Sequence, residues 1–347
     1  MGKYLHLYYD ADSFSGDYNG AAYHEPWVSL TEENSRVNYN KTLLETPLTF
    51  EVLSGGNFYW LVENPFQDEP TGDAINGISY RINDGDWVEI EQKTIWDTYN
   101  GVALSSLTPN FTVSAGDVVQ FKGYHECYWA NTYGYASTSC GFVTDENVRF
   151  NAKGNIMSLI DGDNFATMDE LTEEHALANI FASCSGLVSV TELLLPATGL
   201  SRGCYAAMFG FCGNLINSPK LPATTLAQDC YDSMFWGCTS LTAAPELPAT
   251  TLAQGCYSSM FRECTSLTAA PELPATTLAQ GCYESMFWWC TNLNYIKAMF
   301  TTTPSYLYTM RWVSGVASSG TFVKNAAATW NVTGVNGIPE GWTVRTA

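Results

Sequence analysis

The 347 residues carry 35 acidic against 15 basic side chains, a formal net charge of −20, and 46% of them are hydrophobic. A chain of this length buries a sizeable core and suits two domains. Twenty-seven of the acidic residues but only eight of the basic ones precede position 176, so the front half is strongly anionic. Such a surface repels phosphate backbones and anionic headgroups, which argues against nucleic acid as a partner and against membrane insertion.

Residues 1–40 are a tyrosine- and turn-rich lead, read as an anchoring segment. It opens MGKYLHLYYDADSF, with no apolar run of signal-peptide length, so no Sec export signal is expected. Asp10, Asp12, Gly16, Asp17 and Asn19 have the make-up of an oxygen-ligand loop. Phe14, however, stands where such a loop needs a carboxylate or amide, and a solvated turn is the better reading. No metal or other cofactor is expected anywhere in the chain.

Residues 41–160 predict an antiparallel β-sandwich of immunoglobulin-like kind, within an α+β chain. Leu48–Val52 alternates, Phe58–Val62 is a continuous apolar run, and Ile78–Ile82 is joined to Trp87–Ile90 through Asn83-Asp84-Gly85, a strong hairpin signal. A second hairpin is expected from Phe111–Ser114 through Ala115-Gly116 into Val118–Phe121. Between the last strands runs a nearly uncharged aromatic loop with Tyr128, Trp129, Tyr133 and Tyr135. Its composition suits stacking on sugars or contact with protein, and packing on its own domain is the alternative. Cys127 and Cys140 flank this loop, and both a bridge and two thiols fit the sequence.

Near Asp161 composition and periodicity both change. Four copies of one 26-residue unit begin at Leu195, Leu221, Leu247 and Leu273, the last three reading LPATTLAxxCYxxMFxxC. A degenerate first copy holds Ile180-Phe181-Ala182-Ser183-Cys184 and is followed by a two-residue insertion. A unit this short buries its apolar face only by stacking, so residues 161–294 predict a solenoid of about five coils. The recurring Leu252, Cys256, Tyr257, Met260, Phe261 and Cys264 are read as the inward face of a short helix in each coil. Nine cysteines fall in two ladders, 204/230/256/282 and 184/212/238/264/290, and are expected to be buried small side chains. Prolines at 219, 245 and 271 and at 196, 222, 248 and 274 leave the connecting side at most a very short parallel strand per coil. Residues 295–347 break the period and are expected to cap the last coil.

Only four histidines occur, at 6, 24, 125 and 175, and no nucleophile elbow, phosphate loop or HExxH motif is present. The chain is therefore read as non-catalytic. Its informative positions are those that differ between coils: Phe211, Trp236, Arg262, Glu263, Trp288 and Trp289. Drift of exposed positions explains variation, but three tryptophans and an arginine are the residues enriched in interface hot spots. They are expected along one outward face, spaced by the roughly 10 Å diameter of a helix.

The motif LPATTLAxxCYxxMFxxCTSLTAAPE, with the ending WVSGVASSGTFVKN and GIPEGWTV, resembles the BspA-like leucine-rich repeats of Bacteroidales surface proteins and of the adhesins or fibres of gut phages, crAss-like phages included. The likeness runs from about Asp163 to Ala347. It implies an exposed recognition scaffold that binds a host or bacterial surface protein or glycan. Without an export signal, a phage or prophage virion protein is expected, held to the particle through its N-terminal segment. The alternatives are a Bacteroidales cell-surface adhesin and an intracellular interaction scaffold.

Overall fold

The computed structural model describes residues 41–63, 77–90, 93–95, 109–124, 129–132 and 136–347. The lead at 1–40, including the Asp10–Asn19 turn, lies outside them.

After a one-turn helix, α1 (Lys41–Glu45), the front half is β. Its strands are β1 (Thr49–Ser54), β2 (Gly56–Glu63), β3 (Ser79–Ile82), β4 (Val88–Glu89), β5 (Lys93–Ile95), β6 (Phe111–Val113), β7 (Val118–Lys122), β8 (Trp129–Thr132), β9 (Ala136–Thr144) and β10 (Arg149–Asn155). Two more, β11 (Leu187–Ser189) and β12 (Leu193–Leu194), come from beyond residue 161. One sheet has the order β11-β10-β1-β7-β3-β4, with β12 also on β10; the other is β5-β2-β9-β8, with β6 on β2. Their inner faces meet through aromatic rings, Phe50 standing 5.8 Å from Phe58 and 5.1 Å from Phe142.

The hairpin at Asn83-Asp84-Gly85 forms. Asn83 and Asp84 have φ of 50° and 59°, and the Gly85 N–H donates to Ile82 O at 2.9 Å, the pattern of a type I′ turn. The second expected hairpin does not. β6 pairs with β2, whereas β7 pairs with β1 and β3, so the turn at Ala115-Gly116 carries the chain from one sheet to the other. Phe111, Val113, Val119 and Phe121 are all buried, and the Phe111 and Phe121 rings approach to 6.1 Å. Two segments that cover one core from opposite sides cannot also be neighbours in one sheet. Nor is the pairing wholly antiparallel, since β5 runs parallel to β2 and β11 and β12 run parallel to β10.

The repeats stack, but without the expected helices. The segment from Arg202 to Phe211 is a run of consecutive turns, and its equivalents in the other units are alike. Alternate N–H groups divide the bonding. Tyr205, Ala207, Phe209 and Phe211 donate to carbonyls of Cys230, Asp232, Met234 and Trp236 in the next unit, while Ala206, Met208, Gly210 and Cys212 donate three residues back in their own. Every donor of the run is thus satisfied without a helix. Closing each turn requires a left-handed residue at every fourth position, as at Asp229 (φ 55°), Ser233 (56°) and Gly237 (73°). The buried pairs Cys256-Tyr257 and Met260-Phe261 repeat at exact fours for that reason, whereas a helix would drift. Among the described residues six such runs occur; the sixth, around Arg311 and Gly315, bonds to residues 281–289 and lies in the segment read from sequence as the cap.

Identical side chains form ladders along the stack. Tyr205, Tyr231, Tyr257 and Tyr283 succeed one another at 5.8, 5.9 and 6.2 Å, and Phe209, Phe235, Phe261 and Phe287 at 5.4, 5.6 and 5.8 Å. The nine repeat cysteines are buried and unbridged. Four of them donate S–H to a Phe carbonyl of the preceding unit, as Cys238 does to Phe209 O at 3.1 Å. On the connecting side Pro245, Leu247 and Ala249 point inward and Glu246, Pro248 and Thr250 outward. Among the described residues regular strands appear there only at the two ends of the stack: β11 and β12 in the first unit, which pair with β10, and β13 (Tyr295–Ala298), β14 (Thr321–Lys324) and β15 (Thr343–Thr346), which form a parallel sheet at the other end. One apolar cluster runs unbroken from Leu48, just before β1, to Trp342.

Candidate recognition surface

Turn runs stack more tightly than helices, and this changes what the variable positions can do. The expected spacing of roughly 10 Å is replaced by layers little more than 5 Å apart. At that separation outward side chains of successive units touch. The Arg262 guanidinium carbon lies 4.4 Å from the Trp236 ring centre and 4.1 Å from that of Trp288. Arg311 also lies over Trp288, at 5.5 Å, and Phe211 meets Trp236 at 4.8 Å. Arg262 Nε donates to Glu263 Oε1 at 3.1 Å, which fixes the guanidinium plane. The outcome is a column, Phe211–Trp236–Arg262–Trp288–Arg311, in which each of the three arginine–tryptophan contacts contributes cation–π attraction of about 1 kcal/mol at such partly exposed sites.

Five of the sequence-selected residues, Phe211, Trp236, Arg262, Glu263 and Trp288, therefore meet on one surface. Trp236, Arg262, Glu263 and Trp288 are only half-exposed, because they cover one another. Phe211 and Trp289 are the open ones, at 49% and 54%. Each lies across a glycine of the following layer: a Cβ on Gly237 would stand 2.7 Å from the Phe211 ring, and one on Gly315 would stand 3.5 Å from that of Trp289. A large side chain in one layer is thus seated by the lack of one in the next.

Of the front-domain candidates, Trp129 opens β8 in register with Ser139 of β9. Tyr128, Tyr133, Tyr135 and Cys127 lie outside the described residues. Sequence reasoning missed Arg311. Its signal is faint: Met310-Arg311-Trp312 is a degenerate copy of the repeated turn run, recognisable only once its bonds to the preceding unit are known.

Four residues before Trp236 in the same run, Asp232 holds a carboxyl group in an unusual setting. Burial, reinforced by the charges of Asp229 and Glu284, pushes the Asp232 carboxyl above the ordinary carboxylate range, against the opposing hydrogen bonds of Ser258 and Ser233. Among the described residues no three His, Cys, Asp or Glu side chains converge as a metal-ligand set. The surface is suited to contact through aromatic edges, two open rings and fixed guanidinium groups. No family model, curated protein or solved structure matches this chain.

Proposed function

We propose that the chain is a non-catalytic recognition protein of a phage or prophage particle, whose repeats form a leucine-rich-repeat solenoid of BspA-like kind and contact a protein or glycan on a bacterial host. The observation that carries this reading is the Trp236–Arg262–Trp288 stack with the exposed Phe211 and Trp289 beside it. Aromatic and arginine side chains held rigid before contact lose little entropy on binding, which is what an interface anchor needs. The lead anchors the protein to the particle, and the repeat face is turned toward the host.

The test is a Phe211→Ser, Trp289→Ser double variant, scored for attachment of the labelled protein to Bacteroidales cells. Attachment is lost while the thermal midpoint stays within about 2 °C of the parent, because both rings are outside the core. Trp288→Ser, which also unstacks Arg262, lowers the midpoint as well. Retained attachment by the double variant would overturn the recognition face. Capsid and tail genes beside the coding sequence support the virion reading, and their absence favours the cell-surface adhesin.

A further inference from the structure

A second surface feature lies one turn along the same runs. Asp229, Gln254, Ser258, Gln280, Glu284 and Tyr306 line an open groove, with Gly255 and Gly281 beneath them. Its floor is backbone, since two successive layers place glycine at the position that Asp229 occupies in the layer before. A Cβ on Gly281 would stand 3.7 Å from Glu284 Oε2, so that carboxylate hangs over the floor. Asp229 is held in place by Gln228 Nε2 at 3.0 Å and lies 3.7 Å from Arg202 Nε. Tyr306 forms the lip and is 74% exposed, with Leu307 beside it.

We propose that this groove is a binding site for a neutral saccharide. The inference rests on the recognition reading above and adds a site and a ligand class to it. A pyranose presents an apolar C–H face and a rim of hydroxyls, and the groove offers the complement: an open tyrosine ring, two carboxylates that accept from hydroxyls, two glutamine amides that both donate and accept, and a serine oxygen that accepts while its proton is given to Asp232. No Lys or Arg lines it, and the nearby Arg202 is already engaged by Asp229 and Glu174, so sialylated, uronic or sulfated sugars are repelled by the Glu284 carboxylate. A basic peptide would be drawn to Glu284 and Tyr306, and oligolysine serves as the control for it.

The test uses the full chain and saturation-transfer NMR with matched probes: lactose and sialyllactose, chitotriose, and mannotriose. At least one neutral probe binds, and sialyllactose binds about tenfold or more weakly than lactose or not at all. Tyr306→Ala and Glu284→Gln each weaken the neutral probe by about tenfold at an unchanged thermal midpoint, while Tyr306→Phe keeps it. The Phe211→Ser, Trp289→Ser variant leaves saccharide binding intact, so failure at the groove and failure at the column are read separately. Absence of binding by every neutral probe overturns the proposal, as does binding indifferent to Tyr306 and Glu284. Glu284-dependent binding of oligolysine in place of the sugars would reassign the groove to a cationic peptide.

Discussion

Two residue types in the stack carry chemistry that can be measured directly. Burial pushes the Cys184, Cys204 and Cys282 thiols up to about 12, and the other six repeat cysteines are raised for the same reason. The thiolate is the reactive species, so these nine resist alkylation in the folded protein and all react once it is denatured, which intact-mass analysis counts. Adducts on the native chain at any of the nine would contradict the buried ladders. Asp232 gives a pH signature. Its folded carboxyl is raised above the ordinary value of 3.8, chiefly by burial, so the folded state prefers the protonated form. The stability it contributes is complete below about pH 3.8 and is lost as pH rises through the folded value. Asp232→Asn, neutral at every pH, therefore melts higher than the parent at about pH 7, and the gap closes on acidification toward about pH 3. A gap that is constant with pH would show that Asp232 does not titrate in this way.

At the scale of the element, the turn run depends on its left-handed positions. Gly237 has φ of 73° and a Phe211 ring 2.7 Å from where a Cβ would stand. Gly237→Ala is expected to cost about 1–2 kcal/mol, from left-handed strain and from displacing that ring. Ala207, at φ 49°, bears the same strain already, and Ala207→Gly is expected to be neutral or to stabilise by about 0.5–1 kcal/mol. Denaturant melts of the pair decide it. Equal destabilisation by both substitutions would mean that the run tolerates no change, rather than that it demands left-handed backbone. A helix would respond in the opposite sense at Ala207, where glycine is unfavourable.

At the scale of the molecule, the front sheets and the repeats share a boundary without a gap. β10 pairs with β1 on one side and with β11 and β12 on the other, and the Phe181 ring of the first turn run packs 5.7 Å from Phe142 and 6.0 Å from Phe50. Cooperative units in stacked proteins are set by such interfaces. The full chain from residue 41 onward is expected to unfold in one calorimetric transition. A fragment of residues 163–347 loses the cover over Phe181, Leu187 and Leu193 and frays or associates at that end. Two resolved transitions, with a fragment as stable as the repeats in the whole chain, would show that the boundary near Asp161 separates independent units.

The sequence by itself determined that the second half repeats every 26 residues, that Cys256, Tyr257, Met260 and Phe261 face inward, and that the Asn83-Asp84-Gly85 hairpin forms. Those features rest on local chemistry and on identity between copies, which survive any choice of backbone. It also marked the column residues as unusual for exposed positions. What it did not determine was the backbone that joins them. The fixed spacing of four, with Gly255, Ser259 and Glu263 at the left-handed sites, was present in the text but resembles an amphipathic helix when only apolar residues are counted. Only the tertiary structure decides between them, because half the N–H groups of each run bond to a neighbouring layer and no single unit holds its own partners. The same holds for Phe111 and Phe121, whose sheets are assigned by the core they share, and for Arg262, whose two tryptophans lie 26 residues away in either direction and touch it only because the layers are close.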